Sequence, residues 1–295
     1  MDNIKSNISD RTKGIICIVI SAFGFAMMSA FVKLSGDLPT FQKTFFRNLV
    51  SCIVAFIMVI KANESFFGKK ENRKILTLRA TFGTLGIILN FYAIDKLVLS
   101  DANMLNKLSP FFVIIFSALF LKEKIKKNQI IAVVIAFLGA LFIIKPELNM
   151  QVMPALIGVS GAVCAAIAYT CLRVLGGREK GATIVFYFSL FSLIVIFPFM
   201  VISYESMTLI QFTYLMLAGT FATLGQFGIT WAYKYAPAKE ISIFDYSNII
   251  FSAIISIVLF GVFPDKYSIL GYIIIFAASL YMFMYNKKLD KIREN

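Results

Sequence analysis

The hydrophobic residues of this chain form ten long runs separated by short polar connections. The hydrocarbon core of a bilayer is about 30 Å thick and an α-helix rises about 1.5 Å per residue, so roughly 20 apolar residues cross it. Each run has about this length and therefore predicts one membrane-spanning helix. The ten predicted spans are Gly14 to Leu34, Phe41 to Lys61, Ile75 to Asp95, Leu99 to Leu121, Gln129 to Lys145, Pro154 to Val174, Thr183 to Tyr204, Ile210 to Tyr233, Lys239 to Phe263 and Ile269 to Asn286.

Composition supports an all-α integral membrane protein. The 295 residues are 59% hydrophobic and only 15% charged. In a typical soluble domain about a quarter of the residues are charged. A disordered chain lacks this apolar content. A disulfide scaffold is also excluded, since four cysteines in 295 residues are too sparse. We therefore expect a multi-pass protein of the cytoplasmic membrane, in contact with lipid.

The net charge of +13 indicates topology rather than nucleic-acid binding. With the N-terminus inside, 21 of the 29 Lys and Arg residues fall on the N-terminal segment, on alternate connections and on the C-terminal segment. Cytoplasmic connections of membrane proteins are enriched in these residues. Both termini are therefore predicted to be cytoplasmic.

The sequence contains an internal repeat at an offset of 139 residues. Leu76 to Ala93 and Leu215 to Ala232 match at eight of 18 positions, and both contain the pattern T-F-x-T-L-G. This predicts two five-span units, residues 14–145 and 154–286. Because five is odd, the second unit enters the membrane upside down, an arrangement found in many secondary transporters with a substrate site between the halves.

The fourth span and its exit resemble the EamA group of the drug/metabolite transporter superfamily. The relevant segment runs from Phe91 to Ile125: an alanine-containing end of span three, small residues opening span four, Pro110 in mid-span, and an apolar run ending in Glu123. Arg47 matches a position where the family often has arginine. The resemblance covers the whole chain, although no glutamate closes span nine. It implies a carrier of small metabolites, either uncoupled or coupled to a gradient.

Polar side chains within the spans are the candidate site residues, because polar groups in hydrocarbon face a bundle interior or an aqueous cavity. Span four places Asn103, Asn106, Lys107 and Pro110 on one helical face by their spacing. At the 139-residue offset their equivalents are Ser242, Asp245, Tyr246 and Ile249. The predicted substrate-binding residues are Lys107, Asp245, Asn103, Asn106, Arg47, Tyr246, Asn90 and Gln226.

Several of these charges have alternative interpretations. Lys107 either contacts substrate or forms an ion pair with Asp245 or Asp101. Arg47 either meets an anionic group of the substrate or neutralises Asp101. Arg79 lies one turn inside the cytoplasmic boundary, so we expect its side chain to reach lipid headgroups rather than substrate. If a proton is coupled to transport, the first span offers no carboxylate, and the predicted ion-coupling residues are Asp101, Asp245 and Glu240.

Catalysis has little support in this sequence. The chain has no histidine, hence no Ser-His or Cys-His pair and no imidazole metal ligand, and no phosphate-binding G-x-x-x-x-G-K-[ST] loop. We predict no enzyme activity, metal or cofactor. The preferred function is alternating-access transport of a small polar metabolite, with an amino acid or related zwitterion suiting fixed charges of both signs. The alternatives are export of hydrophobic or quaternary cations and, in a different class, a membrane sensor or assembly subunit that transports nothing.

Overall fold

The computed structural model describes residues 9–121, 127–145, 152–175, 178–235 and 242–294, and every regular element in these ranges is helical. Its α-helices are α1 (Asp10–Leu34), α2 (Thr40–Lys61), α3 (Arg73–Lys96), α4 (Leu99–Asn106), α5 (Ser109–Leu121), α6 (Lys127–Ile144), α7 (Val152–Leu175), α8 (Gly181–Ile202), α9 (Leu209–Tyr235), α10 (Ser247–Phe260) and α11 (Lys266–Glu294). Short 3₁₀ turns, Lys70–Asn72 and Ser242–Tyr246, precede α3 and α10.

Nine helical segments in the described ranges are each long and apolar enough to cross a membrane. They correspond to nine of the ten predicted spans. The prediction of a single helix for the remaining span, Leu99 to Leu121, is wrong, because this span is divided into α4 and α5. Pro110 explains the division: proline has no N–H to donate to the carbonyl of residue i−4, here Asn106, and its ring crowds that carbonyl. The first helix accordingly ends at Asn106.

The described part of the ninth predicted span, residues 242–263, begins with a 3₁₀ turn rather than an α-helix. The turn Ser242–Tyr246 precedes α10, so the irregular backbone ends at Tyr246, the position that the 139-residue offset equates with Lys107. The two positions are in contact, since the Tyr246 hydroxyl donates a hydrogen bond of 3.2 Å to the Lys107 carbonyl. The break in span four therefore meets the 3₁₀ turn that precedes α10.

Helix pairing is reciprocal between the two halves of the chain. The most extensive contacts join α1 to α9, α3 to α7, α6 to α11 and α2 to α8. Small residues allow close crossings, which are typical of membrane helices. A Cβ atom on Gly24 would lie 2.9 Å from backbone atoms of α9, and one on Gly86 would lie 3.3 Å from the backbone of α7. The second glycine is equated by the offset with Gly225 of α9, which lies beside Gly24.

The described connections that hydrogen-bond to one another form two groups at opposite ends of the bundle. At one end, Gln42 exchanges hydrogen bonds with the Glu205 backbone, and Gln211 donates to the Ser35 carbonyl. At the other end, the Glu179 carboxylate accepts from the Lys69 backbone and from Asn72. The first group comprises connections predicted to be outside, and the second comprises connections predicted to be inside.

Candidate functional site

A polar cavity of about 150 Å³ lies between the two halves of the chain. Its wall is formed by α1, α2, α3, α4, α7, α8, α9 and α10, by the break after α4 and by the 3₁₀ turn before α10. Seven of the eight predicted substrate-binding residues line it. The polar side chains of the wall are Ser29, Arg47, Arg79, Asn90, Asn103, Asn106, Lys107, Tyr169, Gln226, Asp245 and Asn248.

Lys107 and Asp245 form an ion pair across the cavity wall. One belongs to the first half of the chain and the other to the second. Their side chains are 14% and 23% exposed, so both remain accessible from the cavity. The second carboxylate oxygen of Asp245, Oδ1, is buried and accepts no hydrogen bond from the described residues. Direct pairing with Asp245 is thus the arrangement in this structure, and it leaves one carboxylate oxygen available.

Asp101 lies away from the cavity, on the part of α4 that contacts α11. Its carboxylate accepts a hydrogen bond from the Tyr272 hydroxyl, which also contacts Ser100 at 2.9 Å. The expected alternatives that pair Asp101 with Lys107 or Arg47 are both wrong in this structure, since its hydrogen bond comes from a tyrosine of α11. The other predicted ion-coupling residue, Glu240, lies outside the described residues, as does Glu123.

The cavity asparagines have different environments. Asn103 joins three helices, because Ser29 of α1 donates to its Oδ1 at 3.1 Å and its Nδ2 donates to Ser252 of α10 at 2.8 Å. Asn106 is half-buried in the wall. Asn90 is 9% exposed, and its Oδ1 accepts no hydrogen bond from the described residues. Asn103 therefore orders the wall, whereas Asn90 offers a free acceptor.

Tyr246 is the predicted substrate-binding residue that the structure does not place in the cavity wall. Its hydroxyl bonds to the Lys107 carbonyl and to Ser279 of α11, and its ring packs edge-on against Phe276 with centroids 5.9 Å apart. The prediction placed Tyr246 on a helical face beside Asp245. The segment Ser242–Tyr246 is instead a 3₁₀ turn, which has three residues per turn rather than 3.6 and so directs side chains differently.

Arg47 of α2 lies in the cavity wall with only 2% of its surface exposed. Its Nη1 donates to the Asn48 side chain, which in turn donates to Ser192 of α8 at 2.7 Å. Its Nε has no hydrogen-bond partner among the described residues. The described chain thus supplies Arg47 with amide contacts and no carboxylate.

Arg79 of α3 also faces the cavity, which contradicts the expectation that it reaches lipid headgroups. It is 8% exposed, and its guanidinium carbon lies 4.0 Å from the centroid of the Phe188 ring. Its Nε and Nη1 have no hydrogen-bond partner in the described part of the chain. The sequence did contain a signal, because Arg79, Gly83, Gly86 and Asn90 follow helical spacing and all line the cavity.

Comparison with known proteins gives consistent matches over nearly the whole chain. The model of the EamA-like transporter family matches residues 12–145 and 152–284. The pseudopaline exporter CntI of Pseudomonas aeruginosa is 32% identical over 270 residues, which cover 90% of this chain and 94% of that protein. The S-adenosylmethionine uptake transporter of Rickettsia bellii is 25% identical over 263 residues, 86% of this chain and 87% of that protein. A solved crystal structure that is 12% identical matches the fold with a TM-score of 0.67, over 94% of this chain and 98% of its own.

Proposed function

Since the chain belongs to the EamA-like transporter family, whose members are multi-pass membrane proteins, we propose that it moves a small polar metabolite across the cell membrane by alternating access. The observation that carries this proposal is the partly enclosed cavity between the halves, with polar side chains and charges of both signs in its wall. The curated relatives include an exporter and an uptake transporter of small molecules, which supports the same general activity.

The charged wall favours a substrate that contains both a carboxylate and an ammonium group. A carboxylate would receive charge-assisted hydrogen bonds from Lys107 and the arginines, and an ammonium group would donate to Asp245, whose Oδ1 is unoccupied by protein donors. Amino acids and related compounds have this chemistry. Hydrophobic cations do not, because three cationic side chains in the wall would repel them.

Reciprocal packing supports an alternating-access mechanism. We infer that residues 14–145 and 154–286 are two inverted repeats, because exchanging their corresponding helices converts the α1–α9 contact into the α7–α3 contact. Lys107 at the break in span four and Tyr246 at the end of the 3₁₀ turn are equivalent at the 139-residue offset and contact each other. Two such halves have equivalent states open to opposite sides, and rocking about the central cavity would connect them.

Counterflow in proteoliposomes tests the proposed function. Vesicles loaded with an unlabelled amino-acid mixture should take up labelled members of the mixture when they contain the protein, and not when they lack it. Lys107→Ala should abolish uptake, since it removes the cation and leaves Asp245 unpaired. The matched control is Lys145→Ala, which breaks an exposed ion pair with Asp265 at the end of the bundle and should transport normally. Absence of flux for every solute in the mixture would contradict the proposal, and normal flux in the Lys107 variant would contradict the site.

A further inference from the structure

Two buried guanidinium groups face the cavity without an acidic partner. Arg47 and Arg79 are 2% and 8% exposed, and neither forms a salt bridge with the described residues. Three of their nitrogens, Arg47 Nε and Arg79 Nε and Nη1, donate no hydrogen bond to the described protein. Buried charges in proteins are normally paired and hydrogen-bonded, so this pair of arginines is unusual and points to a ligand.

Charges in the described wall do not balance. Lys107 is neutralised by Asp245, and no further carboxylate lines the cavity in the described part of the chain. The two guanidinium groups therefore leave an uncompensated positive charge in the wall of a partly enclosed cavity. Their charges also repel each other. An anion bound between them would relieve both unfavourable terms.

The contacts that the arginines do form account for only part of their hydrogen-bonding capacity. Asn48 receives one N–H of Arg47, and the ring of Phe188 faces the guanidinium of Arg79. A guanidinium carries five N–H donors in a planar fork that matches the two oxygens of a carboxylate. Both residues line the same cavity, and each retains N–H donors that the described protein does not use.

We propose that Arg47 and Arg79 form an anion-binding subsite, separate from the Lys107–Asp245 pair, and that the preferred substrate is an amino acid derivative with net negative charge and at least two carboxylates. This rests on the proposed transport function and specifies its substrate class. One carboxylate binds the two arginines. The other end of the substrate, with its amine and second carboxylate, binds Asp245 and Lys107.

Matched acid and amide ligands test this subsite. Aspartate and glutamate differ from asparagine and glutamine by one carboxylate with almost no change in shape. In a thermal-shift titration of the purified full-length protein, the acids should bind about tenfold more tightly than their amides, because a charge-assisted pair is replaced by a weaker neutral contact. Arg79→Gln and Arg47→Gln should remove this preference by weakening the binding of the acids alone. Arg73→Gln, an exposed position on the same helix as Arg79, is the control and should retain the preference.

A further variant distinguishes the effect of losing the arginine charge from the effect of poor folding. Arg79→Lys keeps the positive charge but not the planar fork, and should recover part of the preference even if Arg79→Gln folds poorly. The proposal is overturned if acids and amides bind the wild type equally, if Arg79→Gln weakens both to the same extent, or if no member of the panel binds. Counterflow of acidic and neutral amino acids distinguishes the two proposals. Flux with no preference for acids rejects the subsite and retains the transporter, whereas absence of all flux rejects the transporter.

Discussion

Lys107 and Asp245 connect the two halves of the protein through one ion pair in the cavity wall. Removing one member of a desolvated pair is unfavourable mainly because the other charge stays behind without a partner. Asp245 already has one carboxylate oxygen without a protein donor. Lys107 is therefore the cation that pairs with Asp245 among the described residues.

Lys107→Met should lower the stability of the folded protein by about 1–3 kcal/mol, the typical penalty for leaving a buried polar group unsatisfied. Lys107→Met combined with Asp245→Asn should recover most of this loss, because the amide carries no charge. Thermal unfolding of the two single variants, the double variant and the wild type in detergent gives the coupling between the residues.

The exposed pair Lys145–Asp265 provides the internal comparison. Its side chains are 36% and 49% exposed, and such pairs contribute about 0–1 kcal/mol. Lys145→Met should therefore change the unfolding temperature much less than Lys107→Met. Equal shifts in both variants, or an additive double variant at Lys107 and Asp245, would show that the cavity pair is not coupled as described.

At this scale the sequence located most of the cavity but misassigned two residues. Polar side chains in spans are rare enough to be recognised individually, which is why Asn90, Asn103 and Gln226 were predicted in the wall. Arg79 was assigned by its distance from the helix end, which ignores the face on which it lies. Tyr246 was assigned by analogy with a continuous helix, and the 3₁₀ turn directs it towards α11 instead.

Among the elements, the division of span four into α4 and α5 shapes the site most directly. In a continuous helix the Lys107 carbonyl would accept from the Phe111 N–H. Here that N–H bonds to the Leu108 carbonyl at 3.0 Å, and the Lys107 carbonyl accepts from Tyr246 instead. The break therefore positions Lys107 and links it to the second half of the molecule.

Pro110→Ala should reduce counterflow severalfold and lower the unfolding temperature no more than Lys107→Met does. Alanine restores an N–H that can bond to the Asn106 carbonyl and favours continuation of α4, which would displace Lys107 from Asp245. Pro110 is exposed, so its replacement removes little packing. Counterflow and thermal unfolding should be measured on the same preparation.

Pro198 is the matched control for this substitution. It also lies in an apolar span and is exposed, but it stands within the continuous helix α8 and away from the cavity. Pro198→Ala should transport as the wild type does. If both proline variants lose activity equally, the effect is a general property of proline in these spans rather than of the break at Lys107.

Helix crossings provide a second prediction for the elements. Gly24→Ala would place a methyl group 2.9 Å from backbone atoms of Gly225 and Phe221, and backbone cannot move aside as a flexible side chain can. We expect destabilisation of about 1–3 kcal/mol, the usual range for overpacking. At Gly158 the nearest atom is the Ala93 Cβ at 3.2 Å, so Gly158→Ala should cost less. The order of the two unfolding temperatures is the measurement, and the reverse order would contradict the close α1–α9 crossing.

The sequence predicted the long helices better than the breaks and turns between them. Nine spans were recognisable because hydropathy over about 20 residues reflects the thickness of the bilayer, whatever the packing. Helical spacing in span four continues through Pro110, so the spacing alone predicts one helix and not the break between α4 and α5. The turn before α10 contains no proline in residues 242–246, and its geometry depends on contacts with α1 and α11 that a linear pattern does not contain.

For the whole molecule, the sequence predicted the number of spans and the grouping of connections, but not which helices are neighbours. Pairing of α1 with α9 and of α3 with α7 depends on long-range contacts between small residues. Charge asymmetry, by contrast, is written along the chain and assigns each connection to a side. The hydrogen bonds that join connections at the two ends of the bundle agree with that grouping.

Inverted repeats with cytoplasmic termini predict opposite labelling of equivalent connections. In a background without the four native cysteines, a membrane-impermeant maleimide added to intact cells should label Asp37→Cys and Ser206→Cys, which lie in predicted outer connections. It should label Ala62→Cys and Lys180→Cys only after the membrane is permeabilised. All four positions are exposed in the structure, so accessibility depends on the side of the membrane rather than on burial. Asp37 and Lys180 occupy the first connection of each proposed repeat, and labelling of both from the same side would contradict the inversion, even if the transporter itself were active.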